Sequence, residues 1–400
     1  MENVKYIRDP LYGNIKVDGI LLDLIETPEM QRLLRIKQLG YTYLVYPGAN
    51  HTRFEHSLGT FFVAKKMCDA LNIDDEVVGI AALLHDVGHG PFSHTLEYLL
   101  HMGWGKDHVA ITREMILGER VLQDCEHGTP VREVLDRYGV AAEEVTDVLD
   151  GKRGHISEMV HGHLDADQID YLVRDAYYTG VAYGVIDVDR IIQTMKVHEG
   201  MVVFEKKGVS SLESMLVARA LMYSAVYLHK TVRIAELMLS RAVERAPPFD
   251  FSQMTDCELI ETLKDMGSYQ KDMVLRLKYR NLFKRAFSKA REELLREKLE
   301  LSVKRETAKE AEDEIAKRAG VPEGYVIVDI PGKDILLSEP RIKRMDVGVE
   351  SNGEIIPLSR FTPLAHALQQ REITEWAVMV CCPEKYRTEV ARQAERVLFE

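Results

Sequence analysis

Cysteine is scarce here: five residues in 400 (Cys68, Cys125, Cys257, Cys381 and Cys382), with no CxxC spacing and an adjacent pair that cannot readily bridge to itself. No disulfide framework is indicated, and the thiols read as reduced and cytosolic. No uninterrupted apolar run approaches the roughly 20 residues that span a bilayer, and the opening MENVKYIRDPLYG lacks the charged-then-apolar pattern of a signal peptide. A soluble, cytoplasmic protein without a membrane partner is expected. Positive charge is in deficit, 52 Lys and Arg against 64 Asp and Glu for a net −12, which argues against an extended grip on duplex nucleic acid while permitting a local basic pocket. There is no internal repeat or low-complexity tract, and 46% hydrophobic with 29% charged residues is ordinary for a chain that folds.

What is present is mostly helical texture. At roughly one domain per 150 residues the length suggests two or three units, or one large domain with an appendage. "DLIETPEMQRLLRIKQLG" shows apolar spacing of three and four ended by Gly40, and "RFEHSLGTFFVAKKMCDAL" and "DDEVVGIAALLH" read as further helices. Ser93 is placed to cap a helix through "HTLEYLL", and "SLESMLVARALMYSAVYLHKTVRIAELMLSRAV" reads as the longest helix. Residues 276–319 carry opposite charges four apart (Glu292 and Arg296, Glu300 and Lys304, Glu314 and Arg318), the mark of a solvated helix. Only near 325 does the texture change: "YVIVDI", "EIIPLS" and "WAVMVCC" look like strands, and "PEKYRTEVARQAERVLFE" like a closing amphipathic helix. The expected plan is a mainly α domain over 1–320 followed by a smaller α+β region over 321–400.

Seven of the fourteen histidines fall between His51 and His108. Within "LLHDVGHGPFSH", His85 and Asp86 can reach one ion only at the end or edge of their helix, which the Gly88 stop permits. Imidazole with carboxylate suits a divalent transition metal, but two ligands make a weak site, so others must come from elsewhere. His56 shares a helical face with Arg53, and "GHLDADQIDYLVRD" offers Asp165, Asp167, Asp170 and Asp175, among which spacing alone does not choose. Singly, His51, His101, His127 and His155 read as structural; the joint H…HD…D pattern does not.

"RFEHSLG", "LLHDVGHGPFSH" and "LDADQIDYLVRD" closely resemble the HD-domain metal-dependent phosphohydrolases, particularly the branch of bacterial and vertebrate deoxynucleoside triphosphate triphosphohydrolases. The likeness runs from "DPLYG" through "KYRNLFKRA" at 278–286, with the tail after about 320 only loosely comparable and no counterpart expected of the vertebrate amino-terminal SAM domain. It implies an HD-type helical core and a metal held by His56, His85, Asp86 and Asp167. It places His89, His94, Glu97 and His108 around the scissile phosphate, with His94 oriented by Glu97 as general acid. It points to Arg53 and Arg219 for phosphate and to Gln38, Leu39, Tyr171, Asp175 and Tyr227 for the sugar; without it Arg219 would read as a surface arginine. Two departures stand out: Val109 where the vertebrate relative carries Glu, and Gln168 where it carries Lys.

The implied reaction is hydrolysis of a dNTP to deoxynucleoside and inorganic triphosphate, with Mn, Fe, Zn, Ni or Mg as the ion. The implied assembly is a homo-oligomer, dimer or tetramer, with an activating nucleotide near Lys5, Gln31 and Arg280; Glu26 and Leu34 depart from the guanine-reading pattern there. "KYRNLFKRA" reads equally as a basic amphipathic helix. The alternatives are an HD phosphohydrolase acting on other nucleotide phosphate esters and a nucleotide-sensing oligomer with vestigial turnover.

Overall fold

The computed structural model describes residues 4–123, 125, 127–301, 307–331, 346–370 and 376–399. They fall into two compact units, one of 1–222, 250–259 and 341–371, the other of 223–249, 260–340 and 372–400. Helices dominate both. The expected boundary at 320 therefore cuts across each unit, because the strands beyond it pair with strands far upstream.

The first unit opens on an antiparallel hairpin, β1 (Val4–Asp9) and β2 (Gly13–Asp18). Asp9 Oδ1 accepts from the N–H groups of Leu11 and Tyr12 at 2.8 and 3.0 Å, so the Asp-Pro-Leu-Tyr run closes its own turn before Gly13 at φ 76°. The helix expected over 23–40 is broken into α1 (Gly19–Ile25) and α2 (Pro28–Leu33). Thr27 caps the second by accepting from Met30 N–H, and Pro28 takes the first position, where its missing N–H costs nothing.

Next, α3 (Arg53–Leu71) starts at a capping box formed by Thr52 and Glu55, and α4 (Glu76–Leu84) starts at Asp75, which accepts from Val77 N–H. α4 packs on α3, burying Val78 and the whole run from Ile80 to Leu84. α5 (His94–Trp104) and α6 (His108–Leu117) follow, then α7 (Val131–Tyr138), α8 (Ala142–Leu149), α9 (His155–Glu158), α10 (Ala166–Thr179), α11 (Val188–Gln193), β3 (Met195–His198), β4 (Met201–Glu205) and α12 (Val209–Met222). α10 packs on α3 and so brings residues 167–175 to residues 53–60.

The helix expected over 211–243 is interrupted. α12 ends at Met222, a π-helical turn covers Tyr223–Tyr227, and α13 (Lys230–Glu244) restarts after His229, whose Nδ1 accepts from Thr231 N–H. After α14 (Asp256–Met266) and α15 (Ser268–Lys278), the described residues of the 276–319 run are not one helix: beyond the end of α15 they include β5 (Lys284–Lys289), α16 (Arg291–Glu297) and α17 (Ala308–Ala319). The Glu314–Arg318 pair forms at 2.6 Å, whereas Lys304 of the expected Glu300 pair lies outside the described residues.

β6 (Ile327–Asp329) comes next, followed by β7 (Gly348–Ser351) and β8 (Glu354–Pro357), which complete a sheet of order β3-β4-β7-β8 in the first unit, β4 and β7 running parallel. β9 (Val378–Cys382), fully buried, forms the centre of the second unit's sheet, flanked by β5 and β6, and the chain closes on α20 (Arg387–Phe399), preceded by α18 (Leu358–Phe361) and α19 (Pro363–Gln370). Val380, Val328, Ile315 and Leu398 form part of that unit's apolar core. No helix among the described residues is long and apolar enough to cross a membrane.

Candidate metal centre

Four pieces of the first unit supply the site: the first turn of α3, the end of α4, the loop and helices from 86 to 108, and the first turns of α10. His85 is the C-cap of α4, so it and Asp86 stand at a helix end, as the shared-ion geometry demands. Its Nδ1–H donates to Ala82 carbonyl at 2.8 Å, which leaves Nε2 buried and without a hydrogen-bond partner. Donor atoms of His56, His85 and Asp167 all lie within 4.8 Å of one another, His56 Nε2 being 3.1 Å from Asp167 Oδ1. Asp86 adjoins them, with Oδ1 3.3 Å from His85 Nε2 and Oδ2 3.8 Å from His56 Nε2. Two imidazoles and two carboxylates fit a divalent cation, and the orphaned His85 nitrogen is what such an ion would satisfy.

The electrostatics follow from burial working against close partners. Burial disfavours the His56 imidazolium, yet hydrogen bonds with Asp167 and Asp170 outweigh it and lift the ring to about 10. Burial also raises the Asp86 carboxyl, but His85, Arg53 and His89 hold it well below the usual carboxylate range. Arg53 Nη1 donates to Asp86 Oδ2 at 2.5 Å, its Nε donates to Ser93 Oγ at 2.8 Å, and its Nη2 is buried without a hydrogen-bond partner.

A second cluster adjoins the first. His89, His94 and His108 also bring nitrogens within 4.8 Å of one another, His89 stacking on His108 at 4.0 Å. Glu97 organises it: Nδ1–H of half-exposed His94 donates to Oε2 at 2.8 Å, and Nδ1–H of His108 donates to Oε1. Burial pushes His89 well below its ordinary value, with Arg53 and His108 adding to the effect, so it is neutral at pH 7. Burial opposes charge on both Glu97 and His108, but each overcomes it for the other, with Glu97 lowered and His108 raised. Its carboxylates are already engaged, Glu97 by His94 and His108 and Asp86 by Arg53 with its other oxygen 3.3 Å from His89 Nε2, so the three imidazoles make a poorer cation site than the first cluster and a better acid–base one.

Ser93 does not cap α5 as expected. It sits at φ 51°, ψ −126°, following Phe92 at φ 55°, and its hydroxyl serves Arg53 and Lys37 carbonyl instead. Such backbone costs of order 1–3 kcal/mol and needs clamps. Asp256 Oδ1 accepts from Phe92 N–H at 2.7 Å, the Arg32 guanidinium donates to Val87 and His89 carbonyls at 2.7 and 2.8 Å, and Thr112 Oγ1 accepts from Gly88 N–H at 2.9 Å.

The four aspartates left open by spacing divide by partner, Asp167 and Asp170 sharing the two ring nitrogens of His56. Asp165 caps α10 by accepting from Gln168 N–H, Asp167 faces the metal cluster, Asp170 accepts from His56 Nδ1–H, and Asp175 accepts from His51 Nε2–H at 2.7 Å. Tyr171 lies one turn beyond Asp167 on α10. Gln38 is buried with Oε1 unpartnered, and Leu39 precedes the 3₁₀ turn Gly40–Leu44. Arg219 is fully buried rather than a surface residue, donating to Gln168 Oε1 at 2.8 Å. Val109 is exposed, and Glu97 fills the carboxylate role beside His108. Tyr227 lies in the second unit's π-helical turn, against Tyr223, and Arg280 in the turn after α15 at φ 56°. In the first unit, Lys5 pairs with Glu26 at 2.5 Å, and Gln31 Nε2 donates to Ile25 carbonyl.

Residues 53–178 match the HD domain, and residues 186–399 match the HD associated region. The chain belongs to the HD-domain family. An uncharacterized protein of Methanocaldococcus jannaschii is 34% identical over 394 residues, covering 96% of this chain and 80% of its own. The deoxynucleoside triphosphate triphosphohydrolase SAMHD1 homolog of Dictyostelium discoideum is 30% identical over 316 residues, 70% of this chain and 59% of that protein. A phosphohydrolase of Bacteroides thetaiotaomicron superposes with a TM-score of 0.73 at 27% identity, over 96% of this chain and all of that one. The tail beyond 320 is thus part of the likeness, contrary to the expectation of a loosely comparable region. This HD-domain protein is a phosphohydrolase with a His and Asp set able to hold a divalent metal.

Arg32, Asp256 and Thr112, which clamp the strained loop, and Asp9 and Arg174, which stand behind His56, carry no motif that marks them in the sequence.

Proposed function

We propose that the protein hydrolyses deoxynucleoside triphosphates to deoxynucleoside and inorganic triphosphate, with a divalent cation held by His56, His85, Asp86 and Asp167. The observation that carries this reading is the convergence of His56, His85 and Asp167 beside an arginine with a buried, unpartnered Nη2. A cation bound there would polarise a phosphoryl oxygen and acidify water. Arg53 already neutralises Asp86 through Nη1, so Nη2 is left to take a phosphate oxygen. His94, held through Nδ1 by Glu97, presents Nε2 to protonate the leaving 5′ oxygen. His108, its pKa raised by Glu97, and neutral His89 donate hydrogen bonds to phosphate. Arg219 with Gln168 serves the triphosphate, and Gln38, Leu39, Tyr171 and Asp175 the sugar, Gln38 Oε1 being an acceptor for a hydroxyl. The substrate class is supported by the deoxynucleoside triphosphate triphosphohydrolase activity for which the Dictyostelium relative is named, a protein of which this chain spans 59%.

The protein is further proposed to be a cytoplasmic homo-oligomer, dimer or tetramer, with an activating nucleotide near Lys5 and Gln31, which sedimentation with and without nucleotide tests. The reaction itself is tested by supplying each dNTP to metal-stripped protein reloaded with Mn, Fe, Zn, Ni or Mg and separating the products by anion exchange. Deoxynucleoside and triphosphate are expected. Deoxynucleoside monophosphate with pyrophosphate would redirect the cleavage, and no product with any ion would overturn the reading.

A further inference from the structure

The support behind His56 continues well past its first partner. His56 Nδ1–H donates to Asp170 Oδ2 at 2.8 Å, and Arg174, one turn along α10, grips both oxygens of that carboxylate through Nε and Nη2 at 2.9 and 3.0 Å. Arg174 Nη1 then donates to Asp9 Oδ2 at 2.8 Å. The other Asp9 oxygen closes the hairpin turn, so one carboxylate both shapes the turn and anchors the arginine. Asp170 and Arg174 are fully buried and Asp9 nearly so. The Tyr12 ring lies 5.6 Å from the Arg174 guanidinium and stacks on Phe62 of α3 at 4.7 Å. Gly59, also on α3, leaves room for the pair, since a Cβ there would overlap Asp170 Oδ1 and Arg174 Nη2.

We propose that Asp170, Arg174 and Asp9 are positioning residues that hold the His56 imidazole as the Nδ1–H tautomer with Nε2 turned to the cation, coupling the amino-terminal hairpin to metal affinity. The inference rests on the reading of His56 as a metal ligand. A carboxylate behind a ligating imidazole fixes its tautomer and raises its basicity. Here that carboxylate is itself immobilised by a two-point guanidinium contact, and the guanidinium is immobilised by Asp9 across 165 residues of sequence. A displaced Asp9 frees Arg174 to turn, and with it the carboxylate that orients His56.

The variants are Asp170→Asn, which removes the charge behind His56, and Asp9→Asn, whose amide oxygen still closes the turn while the charged partner of Arg174 is lost. Zn²⁺ affinity is measured by chelator competition on metal-stripped full-length protein, below the unfolding temperature and with circular dichroism reporting the fold. Asp170→Asn is expected to weaken Zn²⁺ binding about 10- to 100-fold and Asp9→Asn by a smaller factor of about three or more. Histidine ¹⁵N NMR of the unmodified zinc-loaded protein is expected to show His56 protonated at Nδ1, a measurement independent of whether either variant folds. An unmodified protein that binds no Zn²⁺ overturns the metal reading and this inference with it. Tight binding by the unmodified protein with equal affinity in both variants, or lowered stability of the variants without an affinity change, overturns the coupling alone. A His56 ring protonated at Nε2 and bare at Nδ1 also overturns it.

Discussion

Both units bury charge, and they do so differently. In the second, Arg233 forks onto Asp329 at 2.9 and 3.2 Å while Trp376 Nε1–H donates to the same carboxylate, and Arg241 forks onto Glu312 at 2.6 and 3.2 Å while Val328 N–H adds a third bond. Each carboxylate there has a permanent counter-charge and a neutral donor. In the first unit, His56, His85, Asp86 and Asp167 crowd together with Arg53 on one side, and an imidazole nitrogen is left unbonded. Arginine-balanced carboxylates are scaffolding. An imidazole-rich cluster whose charge balance and hydrogen bonding are incomplete is a place for an exchangeable cation and a substrate.

The contrast breaks most visibly by mutation on the first side. His85→Ala or Asp167→Asn should lower dNTP hydrolysis more than about ten-thousand-fold, since the Lewis acid is lost with its ligand, while the melting temperature of the metal-stripped protein moves by only a few degrees. Steady-state kinetics and calorimetry on the same samples check both halves. Glu312→Ala on the other side should do the reverse, leaving Arg241 buried without its partner at a cost of about 3–5 kcal/mol in denaturant unfolding, with turnover per folded molecule unchanged.

Within the first unit, His94→Asn should reduce kcat about a hundred-fold or more with little change in KM, as expected for a proton donor rather than a binding group. The smallest effect is a pH dependence. Glu97 is lowered on folding, so its contribution to stability is present above its ordinary carboxylate value of 4.5 and fades as pH falls through the lowered one. His108 is raised, so its contribution is full below 6.5 and fades as pH climbs through the raised value. Melting temperature against pH for metal-stripped protein should therefore fall on the alkaline limb, and Glu97→Gln should flatten that fall.

Local signals were legible where the physics is local. The apolar spacing of "RFEHSLGTFFVAKKMCDAL" and "DDEVVGIAALLH" announces α3 and α4, and His85 with Asp86 before Gly88 announces a pair of donor residues at a helix end. Ser93 misled because its hydroxyl is recruited by Arg53, 40 residues away, in preference to its own helix. The break after Met222 carries no proline or glycine, and nothing in the charged run at 276–319 showed that Lys284–Lys289 would pair with the apolar β9. Asp165 is told apart by capping α10 through Gln168, whereas Asp167, Asp170 and Asp175 are told apart by partners on other elements, His56 for the first two and His51 for the third. Pattern reading finds the face of a helix; the packing of α10 on α3 decides what that face meets.

Where the cation sits is tested by anomalous X-ray diffraction at the absorption edge of a soaked Mn²⁺ or Zn²⁺ ion. One peak is expected per chain, about 2.0–2.3 Å from His56 Nε2, His85 Nε2 and carboxylate oxygens of Asp86 and Asp167. A peak seated among His89, His94 and His108 instead, or none at saturating ion, would contradict it.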